Sequence, residues 1–401
     1  MNGSLFSDAA SRALLAELVR IPSPFFREEA IMDFTFSWLH EHRIPAEKHH
    51  YHVKPIYDFH GVNVLGTLEG AEAGPRIVLN GHLDSVDLCE GWTRDPYGAE
   101  MEGNRLYGLG ALDMKGGCAA ILLAVEAFAK TVKRFRGSVC YTLVSDEEGP
   151  FGLGTDALIR DGLLEGADVA VVTEPSSAFA GCDFPDLGLG ARGGWNYTVS
   201  LKGRAAHGAN PELGINAVVE AAKVLLEIEK TPLATHEKLG PGSICPLGFS
   251  GGGAPLSVPD QASFSVFRHV IPGENKETIL QEVSAAIERA GLSGDVCLAF
   301  RETPYPECDG FLPYVVDENA PWASALRKSI IAVTGKEPKP TYFSSVGDFN
   351  YLGTRLGIPT LVFGPKGAKY HSPDEYVEID TVTKTAEVLY DFLVSSLGAE
   401  R

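Results

Sequence analysis

Residues able to do acid–base or metal chemistry fall at five places in this chain, four of them after a short apolar run and one in a glycine-rich loop. His82 and Asp84 follow Ile77-Val78-Leu79 through Asn80-Gly81. Two residues apart on an extended chain, their side chains point to the same side. A neutral imidazole is a good zinc ligand, and a nearby carboxylate commonly fixes its tautomer. The plainer reading of this stretch alone is a polar strand end with Asp84 opening a turn. Asp113 lies between Gly108/Gly110 and Gly116/Gly117, ahead of an alanine- and leucine-rich segment. A carboxylate at such a junction reaches a cation or caps a helix. Glu147 and Glu148 follow the run Val139–Val144 through Ser145-Asp146. Adjacent side chains on an extended chain diverge, so one glutamate can hold a metal while the other takes a proton from water. A solvated acidic turn is the alternative. Glu174 closes the run Ala167–Val172, and His371 follows Thr360–Phe363 through Gly364-Pro365.

These runs are β-branched and apolar, as expected of strands buried on both faces of a parallel sheet. Open α/β sheets bind ligands beyond the carboxyl ends of their strands. Histidines and carboxylates without thiolates suit zinc, cobalt or manganese, and several carboxylates allow two ions about 3.5–4 Å apart. A phosphate loop is a poor fit to Leu106–Lys130: its glycines follow neither the dinucleotide nor the nucleotide-triphosphate spacing, and Lys115 precedes the glycine pair.

Composition bounds the rest. A chain of 401 residues fits two domains or one with an insertion, and 44% hydrophobic residues fill real cores. Lys+Arg 34 against Asp+Glu 53 gives a net charge of −19, which argues against nucleic acid as a partner. The 7 cysteines are scattered, without a CxxC pair, and read as reduced thiols. The N-terminus reads as a capped amphipathic helix rather than a signal peptide, and no run approaches the ~18 residues of a membrane span. A cytoplasmic protein is expected.

Asp8 caps a first expected helix carrying Leu14, Leu15, Leu18 and Val19, and Glu28–His42 forms a second. His40, His42, His49, His50, His52 and His60 follow irregular spacing among Glu and Lys and read as a solvated face. From about Gly190 to Arg301 the order is strand (Trp195–Leu201), helix (Asn216–Glu229), strand (Ala262–Val270), helix (Lys276–Arg289), strand (Val296–Phe300). That order is the pattern of a small α+β sandwich. Chemistry-bearing motifs lie on both sides, so the segment is an insertion.

In their order, these motifs resemble the zinc-dependent aminoacylase and carboxypeptidase family, which includes acetylornithine deacetylase, succinyl-diaminopimelate desuccinylase, acetyl-lysine deacetylase and several dipeptidases. GHLDSV resembles its metal-histidine motif, GALDMKGG that of its bridging aspartate, DEEG its acid pair, TEPSS its next ligand and YHSPDEYVEID its C-terminal ligand. The resemblance implies one metal on His82, Asp113 and Glu174 and another on Asp113, Glu148 and His371. It makes Asp84 the orienting partner of His82, and Glu147 the general base for a hydroxide bridging two ions, most simply zinc, with cobalt or manganese as alternatives. His207, in GRAAHGANPELGINAV, would stabilise the oxyanion in a partner subunit's site, and Arg268 would clamp a substrate carboxylate.

The implied fold is α/β: a mixed, largely parallel sheet flanked by helices (1–190 plus 304–401), with an inserted α+β ferredoxin-like lid and dimerisation domain (191–303). The implied reaction is hydrolysis of an N-acyl amino acid. A dipeptidase or carboxypeptidase on the same core is the alternative, and a non-catalytic metal-binding protein a more distant one. A small-molecule substrate, a homodimer and neither nucleic acid nor membrane are the expected partners. Three departures weaken any named substrate: Leu256 replaces the family's lid-loop asparagine, Leu109 its loop arginine, and only Arg192, after Ala191, remains of the desuccinylases' arginine pair. Glu174, where many dipeptidases have aspartate, leans toward the deacylases.

Overall fold

The computed structural model describes residues 5–54 and 56–400. The chain divides into two compact units. The first comprises the chain up to Ala191, Val315–Phe343 and the chain from Gly347 onward; the second is Arg192–Tyr314 with Ser344–Val346.

The first unit is built on a mixed sheet. Strands β1 (Glu47–Val53), β2 (Phe59–Glu69) and β3 (Glu72–His82) are its first in chain order. Across the sheet, β1 lies at the edge, followed by β2, Arg136–Val144, β3, Val169–Val172, Thr360–Val362 and Asp186–Ala191. The centre is parallel: β3 runs with Arg136–Val144 and Val169–Val172, and the latter with Thr360–Val362. Residues Ile77 to His82 are buried throughout, which the apolar run foreshadows. The strand begins earlier and ends later than that run, so His82 is its last residue.

Helix α1 (Asp8–Val19) is capped by the Ser7 side chain accepting from the Ala10 N–H, rather than by Asp8. Helix α2 spans Glu29–Glu41 and α3 spans Gly116–Thr131. Nearly all of α3 is buried, so its hydrophobicity is a packing requirement and not a membrane signal; no helix among the described residues is long and apolar enough to cross a membrane. Gly117 has a steric reason: a Cβ there would stand 2.1 Å from the carbonyl of Thr173.

A small second sheet, absent from the sequence reading, also shapes this unit. Gly367–Ala368 pairs with Tyr376–Glu378, which pairs with Arg105–Tyr107. The loop holding His371 is thereby hung on the strand that feeds the loop of Asp113.

In the second unit the antiparallel strands run in the order Ser243–Gly252, Gln261–Val270, Gly193–Lys202, Asp295–Phe300. Inward residues Tyr197, Val199, Phe264 and Val266 pack with Val224 and Val283 of helices Ala217–Ile228 and Lys276–Ala290. The sequence reading lacked the strand Ser243–Gly252. It is an exposed edge strand containing Pro246, Gly248 and Gly251, residues that read as loop because only an edge tolerates them. The unit also runs past the expected limit at 303, because Phe311 pairs with Gly194.

Candidate metal centre

Parallel register brings the chemical residues together. His82 is aligned with Val144, and Asn80 with Val172. The next residues on each strand, Asp84, Glu147-Glu148 and Glu174, therefore emerge at one edge of the sheet. Strand order does here what sequence spacing cannot.

His82 Nε2 lies 3.5 Å from Asp113 Oδ1 and 3.5 Å from Glu174 Oε1. His371 Nε2 lies 3.4 Å from Asp113 Oδ2 and 2.9 Å from Glu148 Oε1. The two oxygens of Asp113 thus face different histidines. Both trios, His82–Asp113–Glu174 and Asp113–Glu148–His371, bring one ligand atom from each residue within 4.8 Å of the others. Zinc holds nitrogen and oxygen donors at about 2.0–2.2 Å, so donors on one tetrahedral ion stand roughly 3.3–3.5 Å apart. Three of the four separations fit that spacing. His82 Nε2 and Glu174 Oε2 are buried without a hydrogen-bond partner among the described residues, which a cation would satisfy. The donor set therefore fits two divalent ions sharing one aspartate.

Electrostatics agree. Burial disfavours the imidazolium of His82, but the charge of Glu174 and the nearby carboxylates of Asp113 and Asp84 hold its pKa well above the ordinary value. Burial pushes Glu174 up to about 8 and Glu148 to about 6, with Asp113 the main repelling charge on each. Burial also pushes Glu147 well above the usual range against the attraction of His82; Glu174, Asp348 and Glu148 push the same way. A site crowded with carboxylates favours positive charge.

Glu147 belongs to neither trio. Its Oε2 stands 3.8 Å from His82 Nε2, while Oε1 accepts from the Asp348 N–H at 3.3 Å. Asp84 Oδ1 faces His82 Nδ1 at 3.4 Å, yet its closer bonds go elsewhere: Oδ1 accepts from the Glu147 N–H at 3.2 Å and Oδ2 from the Glu148 N–H at 2.8 Å. The nearest acceptor for Nδ1 is the Asp84 carbonyl at 3.1 Å. Asp84 therefore fixes both the histidine and the acid pair.

Two buried acids escaped the sequence reading. Glu375 accepts from the N–H groups of Gly110, Leu112 and Asp113 at 2.9, 2.8 and 3.1 Å. Glu28 Oε1 accepts from Phe26 N–H at 2.8 Å and Asp146 N–H at 3.1 Å, and burial followed by the charge of Asp84 pushes its pKa up to about 8. For Glu375 the signal was its place two residues past His371-Ser372-Pro373 in an otherwise loop-like stretch; nothing local marks Glu28. Asp146 and His371 adopt left-handed backbone (φ 57° and 54°), a strained conformation for non-glycine residues that often sits at functional sites.

The remaining expected residues belong to the second unit. His207 is exposed, with Nδ1 accepting from the Ala209 N–H at 3.1 Å. Arg192 donates through Nε and Nη2 to the Leu239 carbonyl at 3.2 and 3.1 Å. Arg268 corrects an expectation. Its side chain is fully buried, donating to Glu282 at 2.9 and 2.8 Å and to Glu274 at 3.1 Å. Inward-facing on a strand that alternates, it is neutralised by two carboxylates of its own unit and is not a free clamp for a substrate.

Among curated proteins, the chain is 28% identical over 400 residues to succinyl-diaminopimelate desuccinylase of Methylocella silvestris, covering 97% of this chain and 99% of that one. It is 30% identical to the enzyme of the same name from Pseudomonas fluorescens, over 82% and 84% of the two chains. Among solved structures, aminopeptidase PepT from Bacillus cereus matches with a TM-score of 0.77 at 18% identity over 97% and 98% of the chains. A dinuclear metal-binding peptidase of the M20 family from Bacillus subtilis matches at 0.70 and 15% identity over 98% and 99%. The sequence pattern of peptidase family M20/M25/M40 covers residues 78–395, and with them both candidate donor trios. The chain belongs to this family, and it is a metal-dependent hydrolase of amide or peptide bonds.

Proposed function

We propose that the protein removes the acyl group from an N-acylated amino acid, releasing a carboxylate and a free amine. The observation that carries this reading is Asp113, whose two oxygens face two separate donor trios, with Glu147 beside them and in neither. His82, Asp113 and Glu174 would hold one ion, and Asp113, Glu148 and His371 the other. Zinc is the simplest choice for this donor set, with cobalt or manganese as alternatives. Such ions supply Lewis acidity toward a carbonyl and acidify water. Glu147 takes a proton from the attacking water and delivers it to the leaving nitrogen; burial suits it to both tasks by lifting its pKa from the ordinary carboxylate range. Asp84 aims His82 and anchors the backbone that carries Glu147.

His207, exposed on its loop, would stabilise the developing oxyanion in a partner subunit's site, and Arg192 would meet the substrate; both roles rest on the family resemblance. A cytoplasmic homodimer associating through the second unit is part of the same reading. Succinylated substrates lead the candidates because the curated relatives are desuccinylases; the single remaining arginine, Arg192, counsels testing other acyl groups beside them. The experiment is a panel of N-succinyl and N-acetyl amino acids alongside dipeptides, assayed for released amine with added zinc or cobalt. Turnover of acylated amino acids in preference to dipeptides supports the reading, and the opposite order replaces it with a peptidase.

A further inference from the structure

The histidine-rich segment that reads as a solvated face is reorganised by the fold. In β1 and β2, His52 and His60 are direct partners across the ladder, one rung from its end. Buried Tyr51, Val53 and Phe59 alternate with them, so both imidazoles stand on the outer face of the hairpin. Their rings stack with centroids 3.9 Å apart and planes 10° from parallel. Asp58, in the connection just before β2, completes the group, with Oδ1 2.7 Å from His52 Nε2. Nitrogen atoms of both histidines and a carboxylate oxygen lie within 4.8 Å of one another.

We propose that His52, Asp58 and His60 form a further divalent-metal site, separate from the family's metal centre, for a borderline transition-metal ion such as zinc. The donor chemistry is two imidazoles and one carboxylate, the ligand types that zinc takes when a solvent molecule completes the coordination. Ladder pairing fixes the two histidine backbones relative to each other, so little entropy is lost in bringing those ligands together. Asp58 is held beside them, and its pKa is lowered first by the hydrogen bond to His52 and then by the nearby imidazoles. All three side chains are exposed, so rotamers can turn to a common ion without disturbing the core. None of the three takes part in the proposed hydrolysis. Because β1 is the edge strand of the sheet, an ion tying His52 to His60 would also fasten the turn end of that hairpin.

The test compares the wild-type enzyme with His60→Gln and His52→Gln after equilibrium dialysis against zinc, counting bound metal by elemental analysis. Each variant is expected to hold one equivalent fewer than wild type while keeping wild-type amidohydrolase activity. In parallel, zinc is expected to slow amide hydrogen exchange across residues 47–60 in wild type and not in the variants. Equal metal counts in wild type and variants overturn the site, and so does zinc-dependent protection that survives both substitutions. Because the comparison is made between proteins with the same central ligands, its outcome does not depend on the identity of the hydrolysed substrate.

Discussion

The backbone N–H of Asp348 donates to Oε1 of Glu147 at 3.3 Å, joining the first turn of helix Asp348–Arg355 to an acid 201 positions earlier in the chain. That helix N-terminus offers a positive end to the carboxylate, and Gly347 leaves room for it. A Cβ at position 347 would stand 2.9 Å from Glu147 Oε1 and 2.8 Å from the Phe349 ring. The backbone there is extended (φ −176°), so alanine incurs no conformational penalty. Gly347→Ala is therefore expected to move the glutamate rather than unfold the protein. A misplaced proton carrier can cost about 10²-fold in rate. The check is a fall in kcat of that order with KM and bound metal unchanged; an unaffected kcat would remove Glu147 from the proton transfer.

Glu147→Gln keeps the shape of the site and removes the base. General acid–base groups contribute about 10²–10⁴-fold, so kcat should drop within that range while the metal count stays the same. A variant that loses its metal in step with its activity would make Glu147 a ligand instead.

Glu375 touches no expected ligand side chain, yet its carboxylate gathers three N–H groups of the loop that bears Asp113. In Glu375→Gln one amide-bearing end must face a backbone donor. The loop should loosen, and cation affinity should weaken by about 10–100-fold, as for other groups that support metal ligands. Competition with a chromogenic chelator measures it.

Arg268→Met separates a structural from a substrate-binding role. Removing the guanidinium leaves Glu282 and Glu274 facing each other without a counter-charge, and breaking a buried pair in this way costs about 3–5 kcal/mol. Denaturant unfolding should register that loss, and adding Glu282→Gln should recover part of it. KM for a carboxylate-bearing substrate should stay near the wild-type value under conditions where the variant is folded.

Asp186, a member of neither donor trio, supplies a further pH signature. It accepts from Ser176 Oγ at 2.8 Å and Thr341 Oγ1 at 2.7 Å, but burial outweighs both bonds and lifts its pKa to about 6. An acid whose pKa is higher in the folded state binds more protons folded than unfolded. Its contribution therefore becomes destabilising as pH rises from about 4 through about 6. The effect amounts to roughly 3 kcal/mol at one pKa unit per 1.36 kcal/mol. Asp186→Asn should flatten stability across that window relative to wild type, as measured by urea unfolding at pH 4 and pH 7.

Strand identity and the residues beyond each strand were legible because both are local. Branched apolar runs bury on two faces, and His82, Asp113, Glu147, Glu148, Glu174 and His371 follow their runs or glycine turns directly in the chain. The edge strand Ser243–Gly252 was not legible, since Pro246 and three glycines hide an extended segment whose partner is elsewhere. Arg268 was misread because inward and outward positions of a strand are told apart only once its sheet has a covered face. Glu28 and Glu375 were invisible as site residues because their partners are backbone amides of distant loops.

The sequence by itself determined which side chains could act, and it put His82, the acid pair and Glu174 where strands end. Only the tertiary structure decided which of them meet. Parallel register aligned His82 with the acid pair and Glu174, the small sheet carried His371 to Asp113, and ladder pairing turned two scattered histidines into neighbours. Covalent order sets the reach of each residue along its own strand, whereas distances between strands are set by hydrogen-bond register and packing, which no local stretch of sequence encodes.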